Sequence, residues 1–286
     1  MIIDTHSHYD SEQFDSDRDE ILRSMGNGFI LVNSGADTAS SEKSIRLAEK
    51  YDYVYATVGV HPDEVGELFE SCNENTCGQA AAGDSSSECE QNVEKLREDI
   101  KPGIDRLRKL AMNKKVVGIG EIGLDYHWNI RPKQMQKAAF EAQWRLAAEL
   151  GLPVVIHSRD AAADTMEMVQ RLYAEFPGMK IDMHCYSYSP EDAQRYLRLG
   201  MMFGIGGVAT FNNAKKLKEV IEQLPLENLL LETDSPYLAP VPNRGKRNYS
   251  AYLTYVAEAI AEIKGLEYEE VLRVTENNAK AFFDFD

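Results

Sequence analysis

Two histidines separated by one residue, His6 and His8, follow the short apolar run 1–3. That run predicts a β-strand, in which alternate side chains point to the same face and lie about 6.6–6.8 Å apart. Two imidazoles on one face can share a divalent cation, and nitrogen ligands suit zinc, manganese or iron. Such a pair also occurs by chance in solvated loops, so its meaning depends on what the later strands supply.

Other residues that can bind metals follow later apolar runs. Three predicted strands end at Glu121, His157 and His184, and Asp234 comes directly after another. Taken singly, each has an ordinary explanation, such as a buried histidine with a hydrogen-bond partner, a carboxylate paired with a basic residue, or a turn cap. Four of the six histidines beside two carboxylates at strand ends are better explained by one shared site. Six ligands are enough for two divalent cations, and a carboxylate such as Glu121 can bridge both.

The elements that would position these residues alternate between strands and helices. Apolar runs rich in β-branched residues predict strands at 1–5, 29–33, 53–60, 116–121, 153–157, 180–184, 202–205 and 229–232. Helical patterns occur at 15–25, 38–50, 93–112, 133–150, 160–175, 190–199, 213–224, 249–264 and 268–283. Near-continuous apolar runs are typical of parallel strands buried on both faces. The sequence therefore predicts an α/β fold, a (β/α)8 TIM barrel whose active site lies at the C-terminal ends of its strands.

The composition fits one such barrel, with 286 residues, 43% hydrophobic and 27% charged. We expect a single domain over 1–286, with a flexible surface insertion at about 71–90, where the apolar periodicity is lost. Cys72, Cys77 and Cys89 lie in this insertion without a nearby histidine. We interpret them as reduced thiols rather than a zinc site.

The net charge of −16 argues against a broad basic surface for nucleic acid. The charge is uneven, because ten acidic residues lie within 64–100. The first twenty residues contain seven carboxylates, unlike a secretory signal, and no apolar run reaches the roughly 18–20 residues of a membrane span. We expect a cytoplasmic monomer without membrane contact.

Several segments resemble the TatD family of metal-dependent deoxyribonucleases, which are amidohydrolase-like barrels. They are His-Ser-His at 6–8, Gly-Val-His-Pro at 59–62, Gly-Glu-Ile-Gly-Leu-Asp-Tyr at 120–126, Pro-Val-Val-Ile-His-Ser-Arg-Asp at 153–160 and Leu-Glu-Thr-Asp-Ser-Pro-Tyr-Leu-Ala-Pro at 231–240. The resemblance covers the chain except about 70–92. It implies that the metals are held by His6, His8, Glu121, His157, His184 and Asp234. It also implies two divalent cations (Mg²⁺, Mn²⁺ or Zn²⁺) and hydrolysis of DNA, often from the 3′ ends of single strands.

Two of these residues are also candidate catalytic groups. Two cations about 3.5–4 Å apart can activate a bridging water and neutralise phosphate oxygens. By analogy with barrel hydrolases of this type, Asp234 would orient that water and accept its proton. Glu121 would lie between the cations.

Candidate substrate contacts surround the predicted site. Arg159 follows the fifth strand, and the basic loop 243–248 contains Arg244 and Arg247. Arginine can bind a phosphate through two parallel hydrogen bonds. The loop could instead be a solvated charge run, but its position after the eighth strand favours a functional role. His61 and His127 are expected at the same rim.

Three positions depart from the family pattern, and other functions remain open. Asn212 stands where lysine is common, and Tyr249 and Ser250 stand where Glu-Pro is usual. These changes concern substrate contacts rather than metal ligands. One rival is an amidohydrolase or lactonase acting on a small cyclic amide or ester, although such barrels commonly bridge their metals with a carboxylated lysine where this chain has Glu121. A second rival is a non-catalytic binding protein, but no ligand is missing.

Overall fold

The computed structural model describes residues 1–26, 28–70, 95–128 and 130–285. Its eight parallel strands form one sheet in sequence order. They are β1 (Ile2–Ser7), β2 (Phe29–Ser34), β3 (Val54–Val58), β4 (Val116–Asp125), β5 (Val154–Arg159), β6 (Ile181–Met183), β7 (Met202–Ile205) and β8 (Leu229–Leu231). The predicted insertion at 71–90 and its three cysteines lie outside the described residues.

Helices connect the strands and surround the sheet. Their bounds are α1 (Arg18–Met25), α2 (Thr38–Lys50), α3 (Lys101–Ala111), α4 (Lys133–Leu150), α5 (Ala162–Glu175), α6 (Pro190–Leu197), α7 (Lys215–Gln223), α8 (Leu253–Lys264) and α9 (Tyr268–Phe283). Helix α4 buries Met135, Ala139 and Leu146 on one face and ends at Gly151, whose φ is +67°. A left-handed residue at this position favours glycine. Within the described part of the chain, no helix combines the length and apolarity that a bilayer span requires.

The barrel closes between β1 and the segment that continues from β8. The Thr5 hydroxyl donates to the Leu231 carbonyl at 3.1 Å. The Asp234 N–H donates to the His6 carbonyl at 2.9 Å, and the His8 N–H donates to the Ser235 carbonyl at 2.8 Å. These bonds complete the (β/α)8 barrel and confirm the predicted fold. They also hold Asp234 beside the two histidines of the first strand.

Several strands continue past the points at which the sequence predicts that they end, and β4 and β5 are the two that matter most for the site. Strand β4 extends to Asp125 rather than ending at Glu121, and β5 extends to Arg159 rather than ending at His157. The backbone pairing continues through Asp125 with Arg159. The predicted ends were wrong because a polar side chain at the barrel mouth interrupts the apolar run without ending the strand. Strands β4 and β5 therefore stay paired beyond the predicted ligands Glu121 and His157.

The N-terminal end of the barrel is closed by apolar side chains. Phe282 and Phe283 of α9 pack into a cluster with Ile3, Val32, Val155, Leu230 and Ala279. The last residues of the chain reach several strand starts, since Phe285 contacts the ring of Tyr55 at 4.4 Å and Lys180 donates to the Ala281 carbonyl at 2.8 Å. The open end is therefore the C-terminal one, where the predicted ligands lie.

Candidate metal centre

The predicted ligands of β1 meet Glu121 and Asp234 at the barrel mouth. The Nε2 atoms of His6 and His8 are 3.2 Å apart. His6 Nε2 lies 3.5 Å from Glu121 Oε2, and His8 Nε2 lies 3.5 Å from Asp234 Oδ1. His184 Nε2 lies 3.8 Å from Glu121 Oε1 and 3.9 Å from Asp234 Oδ1. Residues from β1, from β4 and from the segments after β6 and β8 therefore share one small volume.

Glu121 lies close to two histidines of this cluster, one beside each of its carboxylate oxygens. Its Oε1 lies 2.7 Å from His157 Nδ1, whereas its Oε2 faces His6. Ligand atoms lie within 4.8 Å of one another in the groups His6–His8–Glu121, His6–His184–Asp234 and His61–Glu121–His157. Glu121 and His6 each belong to two of these groups. The two oxygens of the Glu121 carboxylate can bind separate cations, whereas the Nε2 atom of His6 has one lone pair and can bind only one.

Two of the histidines are oriented by buried carboxylates behind them. His184 donates from Nδ1 to Glu232 Oε2 at 2.9 Å, which leaves Nε2 directed into the cluster. His157 donates from Nε2 to Asp125 Oδ2 at 2.9 Å, which leaves Nδ1 directed towards Glu121. Metal-binding histidines commonly donate their second nitrogen to a carboxylate or carbonyl, which fixes the ring and the tautomer.

Ser34, the last residue of β2, orients the other two histidines. Its carbonyl accepts a hydrogen bond from His8 Nδ1 at 2.9 Å, and its hydroxyl lies 3.3 Å from His6 Nδ1. All four rings therefore have one nitrogen held on the outer side and the other directed inwards. This arrangement, with two carboxylates, fits the nitrogen and oxygen set that divalent transition metals accept.

Sequence reasoning did not identify Asp125, Glu232 and Ser34 as parts of the site. Each is polar and buried, and each stands at the end of a strand or directly after one. A usable signal was present, because Asp125 and Glu232 interrupt the same apolar runs that deliver ligands. Each of them, however, orients a histidine that another strand supplies. The sequence alone does not show which residues of neighbouring strands lie side by side.

The histidine charges depend on these carboxylates. Burial lowers the pKa of His8, but the hydrogen bond and charge of Asp234 outweigh it and raise the pKa to about 9. At His184 burial is likewise outweighed by Glu232, and the pKa rises to about 10. The pKa of His157 also rises to about 9, against burial, because of its carboxylate partners. Without a cation, His8, His157 and His184 are therefore protonated at neutral pH, whereas burial and the charge of His184 lower the pKa of His6.

The pKa values of the two predicted metal-binding carboxylates are lowered, whereas those of their histidine partners His8 and His157 are raised. Burial raises the pKa of Glu121, but hydrogen bonds with His157 and His6 outweigh it and hold the pKa well below its usual value. The pKa of Asp234 is likewise lowered against burial, chiefly by its hydrogen bond with His8. Both groups are therefore carboxylates at neutral pH and can bind cations.

Two predicted substrate contacts lie close to the cluster or at its rim. The His61 ring meets the His157 ring edge-on at 4.3 Å, and burial lowers the pKa of His61 to about 4. It is therefore neutral and close enough to act as a ligand. His127 is more exposed, and its Nδ1 lies 2.8 Å from Asp160 Oδ2.

The three predicted arginine contacts differ in their surroundings. Arg159 is exposed, and its guanidinium lies 5.8 Å from the centroid of the Trp128 ring. Arg244 is also exposed, and its guanidinium lies over the Phe211 ring at 4.3 Å. Arg247 differs, as its guanidinium already pairs with both oxygens of the Asp17 carboxylate at 2.9 and 2.5 Å.

The departures from the family pattern have separate structural consequences. Asn212 is exposed on the segment before α7. The Tyr249 ring packs against Tyr252 at 4.4 Å. Ser250 is buried and donates to Asp4 Oδ2 at 2.6 Å. Ser250 therefore holds the buried Asp4 carboxylate of β1, two residues before His6.

Comparisons with known proteins identify the family of the chain. A family model described as TatD related DNase matches residues 3–284. The chain is 37% identical over 285 residues to the uncharacterized metal-dependent hydrolase YabD of Bacillus subtilis (strain 168), covering 99% of each protein. It is 32% identical over 286 residues to the 3′-5′ ssDNA/RNA exonuclease TatD of Klebsiella pneumoniae (strain 342), covering 96% of this chain and 95% of that protein.

A solved structure gives the same assignment. YJJV, a TatD homologue from Escherichia coli K12, matches 100% of this chain and 98% of its own, with a TM-score of 0.79 and 27% sequence identity. The predicted family resemblance is thus confirmed over the whole length of the barrel. The chain belongs to the TatD-related DNase family and is a metal-dependent hydrolase that acts on ester bonds.

Proposed function

We propose that this protein is a deoxyribonuclease that removes nucleotides from the 3′ ends of single-stranded DNA with two divalent cations. The observation that carries the proposal is the ligand cluster around Glu121, whose Oε2 faces His6 and whose Oε1 faces His157. A relative that covers nearly the whole chain is named a 3′-5′ ssDNA/RNA exonuclease, which supports the substrate and the direction. The cytoplasm remains the expected location.

In this proposal the cations are Mg²⁺, Mn²⁺ or Zn²⁺ held by His6, His8, Glu121, His157, His184 and Asp234. When bound, such cations lower the pKa of water and stabilise the charge that develops on the phosphate. The chain orients the donors in advance through hydrogen bonds behind each histidine ring. His61 offers a further nitrogen close to Glu121 and His157.

Asp234 is the proposed proton acceptor. It lies after β8 at the mouth, beside His8 and His184, and its side chain is 20% exposed. Because its pKa is lowered, it is ionised and able to accept a proton as water attacks phosphorus. Attack forms a new P–O bond and breaks the bond to the leaving oxygen of the strand.

Several residues at the rim would contact the strand. Arg159 and Arg244 have exposed guanidinium groups that can bind phosphate oxygens. His127 lies at the same rim and would contact the strand beside them. Arg247 would contribute only if a phosphate displaced Asp17, so we expect it to contribute less.

The proposal is tested by incubating purified protein with end-labelled single-stranded DNA and, separately, with a panel of lactones and carboxylic esters. Each reaction is run with Mg²⁺, Mn²⁺ or Zn²⁺ and again with chelator. We expect chelator-sensitive release of mononucleotides from the 3′ end, and none from the Glu121→Gln variant. Turnover of a lactone without DNA cleavage would contradict the proposal and favour the amidohydrolase or lactonase alternative.

A further inference from the structure

A large aromatic side chain is exposed beside the candidate centre. Trp128 stands three residues beyond the end of β4, and its side chain is 64% exposed. The other tryptophan of the chain, Trp144 in α4, is fully buried. Exposed tryptophan at the edge of a cleft often marks a binding surface, because it offers a large rigid face to a ligand.

The Trp128 ring lies next to the guanidinium group of Arg159. The Arg159 guanidinium is 5.8 Å from its centroid, and the His127 ring meets it edge-on at 4.7 Å. Among the described residues, Arg159 forms no ion pair, in contrast to Arg247 with Asp17. The surface thus combines a flat aromatic face with a positive charge that is free to bind an anion.

This surface is attached to the ligand cluster through Asp125. The carboxylate of Asp125 accepts from His157 Nε2 through Oδ2 and from the His127 backbone N–H through Oδ1, at 2.9 and 2.8 Å. The Asp125 N–H donates to Gln136 of α4 at 2.8 Å, and Asp125 pairs with Arg159 across β4 and β5. The aromatic face and the proposed ligand His157 are therefore held by one shared residue.

We propose that Trp128 and Arg159 bind one nucleotide unit of single-stranded DNA, with the base stacked on the Trp128 ring and a flanking phosphate on Arg159. The inference rests on the proposed function and adds how the substrate is recognised. Stacking on an aromatic side chain accepts any base but needs a free base face, which the bases inside a duplex do not present. The acidic protein would thus select single strands without a broad basic surface.

The single exposed tryptophan provides a direct test of binding. A phosphorothioate oligodeoxynucleotide, which resists hydrolysis, is added to the metal-loaded protein while tryptophan fluorescence is recorded. Since Trp144 is buried, we expect quenching that arises from Trp128 and is absent from Trp128→Phe. A duplex of the same sequence should quench much less at equal concentration.

Steady-state kinetics give a second readout with matched variants. With single-stranded DNA, Trp128→Ala should raise KM about tenfold or more with little change in kcat, whereas Trp128→Phe should raise KM less than about threefold. Arg159→Gln should also raise KM. Met112→Ala removes another exposed apolar side chain, 72% exposed and before the start of β4 at the other end of the barrel, and should change neither constant.

An abasic oligonucleotide separates stacking from a general effect on the site. With this substrate, wild type and Trp128→Ala should have equal KM values, because no base is available to stack. Unquenched fluorescence at saturating DNA, or an unchanged KM for Trp128→Ala on normal DNA, would overturn the inference while DNA cleavage itself still supported the proposed function. Failure of the wild-type protein to cleave DNA would instead overturn the proposed function.

Discussion

The two ends of this barrel are built from the same strands but from opposite kinds of side chain. At the N-terminal end, Phe282 and Phe283 of α9 join an apolar cluster with residues of β1, β2, β5 and β8. At the C-terminal end, buried histidines and carboxylates form a network of hydrogen bonds. Strand β5 shows the change within one face, since Val155 packs in the apolar cluster and His157, two residues later, joins the metal centre.

This contrast separates stability from function. Burial of apolar surface stabilises the closed end. The mouth instead holds ionised groups in a buried position, which costs free energy unless the groups are paired. Substitutions at the mouth should therefore change turnover and metal binding, whereas substitutions at the closed end should change the free energy of unfolding.

The largest expected effect is on turnover. Glu121→Gln should lower kcat for DNA at least about a thousandfold, roughly 4 kcal/mol, because the residue shared by two ligand groups loses its charge. His157→Ala should act in the same direction. Circular dichroism should show that both variants remain folded, because the apolar end is unchanged. Wild-type turnover in either variant would remove the basis for the site.

At the closed end, Phe283→Ala should lower the free energy of unfolding by about 3 kcal/mol, since a buried ring is replaced by a cavity. Metal affinity and kcat/KM should stay close to wild type at temperatures where the variant is folded. Urea unfolding and steady-state assays measure the two quantities. A large loss of kcat/KM in the fully folded variant would show that the two ends are coupled.

A more moderate effect, on metal affinity, is expected for the carboxylates that orient the histidine ligands. Glu232→Gln should weaken metal binding about 10- to 100-fold, because the partner that orients the His184 ring loses its charge. Glu222→Gln, at an exposed position of α7, is the matched control and should bind metal like wild type. Equal affinities in a competition titration with a chelator dye would exclude an orienting role for Glu232.

The smallest effect concerns pH. The pKa values of His8 and His157 rise to about 9 and that of His184 to about 10, so their protonated forms stabilise the folded metal-free protein. That contribution is complete below about pH 6.5 and is lost as the pH rises through 9 to 10. The Tm of the chelated protein should therefore fall by about 5 °C or more between pH 6.5 and 10.

Two controls define this pH test. Metal-loaded protein should show a smaller fall in Tm, because cations replace the protons. His157→Gln should likewise show a shallower slope than wild type in the presence of chelator. A Tm of the chelated wild type that is constant or increases over this range would contradict the assigned charges.

The sequence was sufficient for the barrel. Apolar runs predicted all eight strands, and the polar residues beside these runs gave Glu121, His157, His184 and Asp234 as predicted ligands, whose side chains the structure brings close together. The strand ends at Glu121 and His157 were wrong, since periodicity reports burial and not backbone pairing. The orienting roles of Asp125 and Glu232 were also missed, because they depend on contacts between strands that are remote in sequence.

Anomalous scattering from crystals of the protein grown with Mn²⁺ or Zn²⁺ would locate the cations themselves. We predict two peaks at the barrel mouth, one among His6, His8 and Glu121 and its neighbour beside His184 and Asp234, with Glu121 between them. Peaks located away from these side chains, or a mouth without a peak at saturating metal, would contradict the account.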